Sequence, residues 1–105
     1  MTLQKRKPIR SEAILDAANG EQCTICGKLD GTTVFCHLNE AWAGKGIGQK
    51  ADDIAGFFGC YEGHVRYDTP PSKMRVKIFE DWEIMRAMYR TIRRCIEKDV
   101  IILKS

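Results

Sequence analysis

The stretch from Phe58 to Asp68, FGCYEGHVRYD, sets the tightest limit on what this chain can fold into. It places Cys60, His64 and Asp68 at successive intervals of four residues. Side chains four apart share one face of a helix, so one helical segment would turn a thiol, an imidazole and a carboxylate the same way. These are metal-ligating and proton-transferring groups, and they fall in a chain of only 105 residues. A single domain of that size buries a limited core, and a bound metal is a common supplement.

The other chemistry-bearing residues lie upstream. Cys23 and Cys26 form a Cys-x2-Cys pair followed by Gly27. Two thiolates so spaced grip one tetrahedral ion, and the glycine lets backbone approach the sulfurs. Thr32 to Leu38 is β-branched and aromatic and reads as a strand. Alternation along a strand sends Cys36 and His37 to opposite faces. Ala41 to Lys50 is glycine-rich but lacks P-loop spacing. Its Lys45, Gly46, Gly48 and Lys50 suit a loop that lays amides and ammonium groups along a phosphodiester backbone, or a plain surface loop.

The ligand inventory is therefore Cys23, Cys26, Cys36, His37, Cys60, His64 and Asp68. Two groupings make physical sense. Soft Cys23, Cys26 and Cys60 suit a structural zinc. His64, with Asp68 or water, suits a catalytic ion that keeps open positions, while His37 serves as general base toward a water. Metal-assisted phosphodiester hydrolysis needs those parts. A redox or metal-sensing role for Cys23 and Cys26 fits less well, because a strand rather than a helix follows the pair.

The chain has five cysteines, an odd number at uneven spacing. No apolar h-region follows the basic N-terminus, and no apolar run reaches the roughly 18 residues that a bilayer span requires. A cytoplasmic chain is expected, with thiols kept reduced and more apt to bind metal than to pair. Net charge is +3, which permits nucleic-acid binding without demanding it.

Residues 1–10 read as a flexible basic arm and 11–105 as one domain. Ser11 to Gly20 is expected as a short helix, capped by Ser11, stopped at Asn19-Gly20, with Ala13, Ile14 and Ala17 facing inward. Asp52 to Gly59 leads into the opening stretch, and Thr69 to Ser72 breaks the chain. From about Lys73 to Lys98, the residues Ile78, Trp82, Met85, Tyr89, Ile92 and Ile96 recur every three or four positions. That periodicity predicts a long amphipathic helix with this stripe in the core. Arg86, Arg90, Arg93, Arg94 and Lys98 then lie on its other faces, either as solvated surface or against a nucleic acid. Val100 to Leu103 reads as a final strand.

His37 on a strand, the polar Asp53, and His64 just past a cysteine resemble the HNH, or ββα-metal, nuclease signature. More closely, Cys36 to Asp68 resembles the small phage and prophage nucleases related to a RecA-dependent HNH-type phage nuclease. The matching residues are His37-Leu38, Gly46-x-Gly48-Gln49-Lys50, Asp53-Ile54, and Cys60 followed by His64. With the Cys23 region and the preceding helix, the resemblance spans roughly Arg10 to Asp68. It implies an α+β fold: a small zinc-stabilised ββα-metal, HNH-like core with a long C-terminal amphipathic helix.

It further implies a metal-dependent DNA endonuclease in phage recombination or DNA processing, with a recombinase as a possible partner and the bacterial cytoplasm as location. His37 takes the base position and Asp53 stands where an asparagine often orients that base. His64 takes the catalytic divalent ion (Mg, Mn or Zn), while Asp68 has no firm family role and is an optional helper by its spacing alone. Cys23, Cys26 and Cys60 take structural-zinc positions. The chain departs from the family at Gly63, where a second cysteine is usual. It departs also at Cys36, in place of an acidic residue, and at Asn39, in place of arginine. Cys36 or His64 is then a candidate fourth zinc ligand. These departures open the alternative of a non-catalytic, zinc-stabilised DNA-binding or recombination-accessory module.

Overall fold

A computed structural model describes residues 7–46, 48–68 and 79–104. The architecture is small α+β: helix α1 (Glu12–Asp16), strand β1 (Val34–His37), a 3-10 turn (Ala41–Ala43), strand β2 (Gly56–Gly59), and helices α2 (Tyr61–Asp68) and α3 (Asp81–Glu97). The strands pair antiparallel, with Phe35 opposite Phe58 and His37 opposite Gly56.

Strand β2 has no sequence signature of a strand. GFFG is buried at all four positions, so it carries no polar alternation to announce it. Both faces of the ribbon are covered. Cys36 and Phe57 pack with Leu38, Ala43, Ala51, Ala55 and Ala87 on one side. Phe35 and Phe58 pack with Ile14, Ala17, Ala18 and Cys95 on the other. Ser11 caps α1 as expected, its side chain accepting from the Ile14 N–H, but Ala18 rather than the exposed Ala13 completes the buried face.

The outer edge of β2 is closed by polar contacts. The Phe58 N–H donates to Thr91 Oγ at 2.9 Å, and the Phe58 carbonyl accepts from both the Thr24 N–H and its hydroxyl at 2.8 Å. An edge strand satisfied this way offers no template for further pairing. Glycine at 56 is a steric requirement of the ribbon. A Cβ there would run into the Cys36 carbonyl and lie 2.6 Å from the Phe35 ring. Gly56→Ala is therefore expected to destabilise the fold by about 3 kcal/mol, the upper part of the overpacking range, read as a lower denaturation midpoint.

Helix α3 exists where its periodicity placed it, starting at Asp81; residues 73–78 of the expected helix, Ile78 among them, lie outside the described residues. Its orientation is the reverse of the expectation. Ala87, Thr91 and Cys95 are buried, whereas Trp82, Met85, Tyr89 and Ile92 are exposed and Ile96 is half-buried. Small residues let the helix axis approach the β2 edge closely enough for the Thr91 bond, so the small stripe turns inward.

The expected strand at Val100 to Leu103 is also corrected. Asp99 adopts a left-handed conformation (φ 60°), and the Val100 and Ile101 N–H groups return to the Cys95 carbonyl. This is a helix C-cap that folds Val100 and Ile101 back against the Phe35–Phe58 side of the core. Among the described residues the sheet has two strands.

Much of the C-terminal basic charge is used internally. Arg94 bonds both oxygens of Glu21 at 2.7 and 3.2 Å, Arg90 donates to the Thr24 carbonyl at 2.9 Å, and Arg86 lies over the Trp82 ring. The Arg94 guanidinium, aided by Lys98 and opposed by burial, holds the Glu21 carboxyl below its ordinary range. A carboxyl depressed on folding stabilises the protein above its unfolded pKa and loses that contribution as pH falls. Glu21→Gln is expected to flatten this acid limb of a stability-versus-pH profile, measured by urea melts. Of the expected basic arm 1–10, residues 1–6 lie outside the described residues, and Ile9 and Arg10 are bonded to the body of the domain. The Ile9 N–H donates to Asp52, and Arg10 donates to the Lys50 and Ala51 carbonyls. No helix among the described residues is long and apolar enough to cross a membrane.

Candidate functional site

Cys23, Cys26 and Cys60 converge: their sulfurs lie within 4.8 Å of one another, with Cys26 Sγ to Cys60 Sγ at 3.7 Å. The geometry follows from local structure. Gly27, at φ 79°, turns the chain after the pair, the Cys23 N–H reaches the Lys28 carbonyl at 2.9 Å, and the Gly27 N–H reaches the Cys23 carbonyl. Thr24, inside the pair, is tied to Phe58 of β2 and, through its carbonyl, to Arg90 of α3. Cys60 stands between the end of β2 and the start of α2. The turn and the helix start are thus fixed to the same strand, two residues from the third sulfur.

The electrostatics favour a thiolate at one corner. Burial pushes the Cys23 thiol up, but backbone N–H groups of Cys26, Cys60 and Ile25 outweigh it and hold the thiol below its ordinary value. Burial raises Cys26. Three soft donors at these separations fit a metal such as zinc.

Cys36 stands apart from this group. It is fully buried in the apolar core, and burial pushes its thiol up to about 12, so it keeps its proton. His64, the other candidate fourth ligand, is engaged elsewhere. Its Nε2 lies 2.8 Å from Asp68 Oδ2, and Asn39 Nδ2 donates to Asp68 Oδ1 at 3.4 Å. The Asn39 N–H in turn donates to the Tyr67 hydroxyl. Asp68 therefore holds the His64 ring through Nε2.

His37 ends β1, with its ring edge-on to Phe35 at 5.0 Å. Its Nε2 sits 2.7 Å from Asp53 Oδ1. Asp53 is 2 % exposed; its second oxygen accepts the Ser11 N–H at 2.8 Å, and Arg10 Nη1 lies 3.6 Å from the first. Burial would raise this carboxyl, but the bonds from His37 and Ser11 and the charge of Arg10 outweigh burial and hold it low. An ionised carboxylate only accepts, so it selects the Nε2–H tautomer of neutral His37 and leaves Nδ1 as the free acceptor.

The glycine-rich loop is linked to this pair through Arg10, which bonds the Lys50 carbonyl and lies near Asp53. Gly46 and Gln49 exchange both backbone hydrogen bonds, at 3.0 and 3.1 Å, and Gln49 Nε2 donates to the Gly44 carbonyl. Lys45, Gly46, Gly48 and Lys50 are exposed on this closed turn. Arg10 and Ser11, which join the loop to Asp53, carry no signal in the sequence as site residues. They lie about forty positions away, and no local spacing marks such a contact.

Comparison of the chain with protein-family models, curated proteins and solved structures finds no match in any of the three.

Proposed function

We propose that this protein is a metal-dependent DNA endonuclease of the HNH type. The observation that carries the reading is the His37–Asp53 pair: an imidazole at a strand end, held through Nε2 by a buried carboxylate. That is the arrangement a general base requires, oriented and poised to take a proton from water. The order β1, β2, α2 adds support, because it carries His37 and His64 on a strand and on the helix that follows the ribbon. In this reading His64 Nδ1 holds the divalent ion, its ring fixed by Asp68, and the ion supplies charge neutralisation at the phosphate. Lys45 and Lys50 of the glycine-rich loop contact the DNA backbone without reading sequence. The Cys23, Cys26 and Cys60 group holds zinc in a structural role.

The test is incubation of the purified protein with supercoiled plasmid in Mg²⁺ or Mn²⁺, with a parallel EDTA-treated sample. Divalent-dependent nicking is the expected result. Salt-sensitive DNA binding with no nicking under either ion would reject the enzyme and leave the DNA-binding module.

A further inference from the structure

The three-cysteine group is one-sided. Among the described residues, no fourth His, Cys, Asp or Glu joins it. Tetrahedral zinc nevertheless has four directions to fill. The free direction has an address in the fold: a Cβ built on Gly63 would meet only Cys60 Sγ at 3.6 Å and Cys23 Sγ at 3.8 Å. Both are ordinary van der Waals separations, and outside the neighbouring backbone of α2 no other atom of the described residues lies within 4 Å of this buried position. Gly63 lies inside α2, where glycine costs helix stability relative to alanine. Its N–H also donates to Cys60 Sγ at 3.4 Å, which anchors the helix backbone against the group. The Cys26 corner is exposed, so solvent reaches the cluster from that side.

We propose that Cys23, Cys26 and Cys60 hold zinc as a three-thiolate site. Its fourth coordination position, beside Gly63, takes an exogenous donor: water, displaceable by a small thiolate. A zinc with three protein ligands and one exchangeable position polarises whatever occupies that position, which a closed four-cysteine site does not do. The inference rests on the zinc reading of the cysteines and is independent of whether His37 cleaves DNA.

The experiment uses Co²⁺ as a spectroscopic substitute for zinc in the full chain. Wild type is compared with Gly63→Cys and Gly63→Ala, each titrated with β-mercaptoethanol. In wild type, added thiol is expected to shift the ligand-field bands and raise the sulfur-to-cobalt charge-transfer intensity from a three-sulfur to a four-sulfur level. Gly63→Cys is expected to show the four-sulfur intensity from the start, ignore the thiol, and bind zinc on the order of 10- to 100-fold more tightly. Gly63→Ala, which gains helix propensity but no sulfur, separates ligation from folding; its affinity is expected to stay near wild type. A wild-type spectrum at four-sulfur intensity that ignores thiol overturns the open position while sparing the metal site. Absence of cobalt and zinc binding overturns the metal site itself.

Discussion

Chelating the zinc proposed for Cys23, Cys26 and Cys60, or replacing Cys60 with serine, is expected to abolish the cooperative thermal transition or lower its midpoint by tens of degrees. The reason is where the group sits. Its ligands come from the turn after α1 and from the residue just ahead of α2, and between them runs β2, whose Phe57 and Phe58 are the largest fully buried side chains. A metal there would clamp the turn, the strand and the helix to one another. Structural zinc contributes about 10–16 kcal/mol of apparent binding energy in zinc-finger peptides, comparable to the whole stability of a small domain. Even a loss of about 4 kcal/mol moves the midpoint of a domain this size by roughly 20–30 °C. Cys95→Ala is the control. Cys95 is as buried as Cys60 but lies in the Phe35–Phe58 cluster, outside the metal group. It should lower the midpoint modestly and leave zinc content unchanged. Chelated and zinc-loaded protein melting at the same temperature would remove the metal from the account of this fold.

What the sequence reveals about the molecule depends on how local each signal is. The metal group is readable because cysteines are rare, the Cys-x2-Cys turn is set by four consecutive residues, and Cys60 is marked by its place ahead of His64. Helix α1 is readable from its Ser11 cap, but it ends at Asp16 with Ala17 as C-cap, ahead of the expected stop at Asn19-Gly20. Strand β2 is hidden because a four-residue strand buried on both faces has neither alternation nor length. Helix α3 shows a subtler limit. Periodicity locates it, but its Trp82–Met85–Tyr89–Ile92 stripe and its Ala87–Thr91–Cys95 stripe share the same spacing. Bulk hydropathy favours the first as core, while close approach to a strand edge requires the second. The same distinction governs Asp99. A single residue in the left-handed region turns Val100 and Ile101 from an expected strand into a cap, and no propensity scale reports that. At the candidate site the two histidines are visible, yet their partners are only half visible. Asp53 comes with the motif and Asp68 with its four-residue spacing from His64, whereas Arg10, Ser11, Asn39 and Tyr67 reach the site through tertiary contacts.

His37→Ala is expected to lower metal-dependent plasmid nicking by about 10²- to 10⁴-fold, the range that a positioned general base supplies. The fold should survive the change. The His37 side chain touches the Phe35 ring edge and one Asp53 oxygen, and the second Asp53 oxygen keeps its bond to the Ser11 N–H. A midpoint within a few degrees of wild type, alongside lost cleavage, therefore separates chemistry from stability. Asp53→Asn divides the two roles of the carboxylate. The amide keeps an acceptor for Ser11 but removes the negative charge that faces His37 and Arg10. It also allows the amide NH₂ to donate to Nε2, which selects the other tautomer and takes the free acceptor away from Nδ1. Cleavage is expected to fall in this variant even where DNA affinity, measured by filter binding at fixed salt, does not. If His37→Ala nicks plasmid as fast as wild type, the pair is a structural clasp between the N-terminal segment and β1. If cleavage is lost in His37→Ala but retained in Asp53→Asn, His37 acts without tautomer control, and the role assigned to the buried carboxylate is wrong.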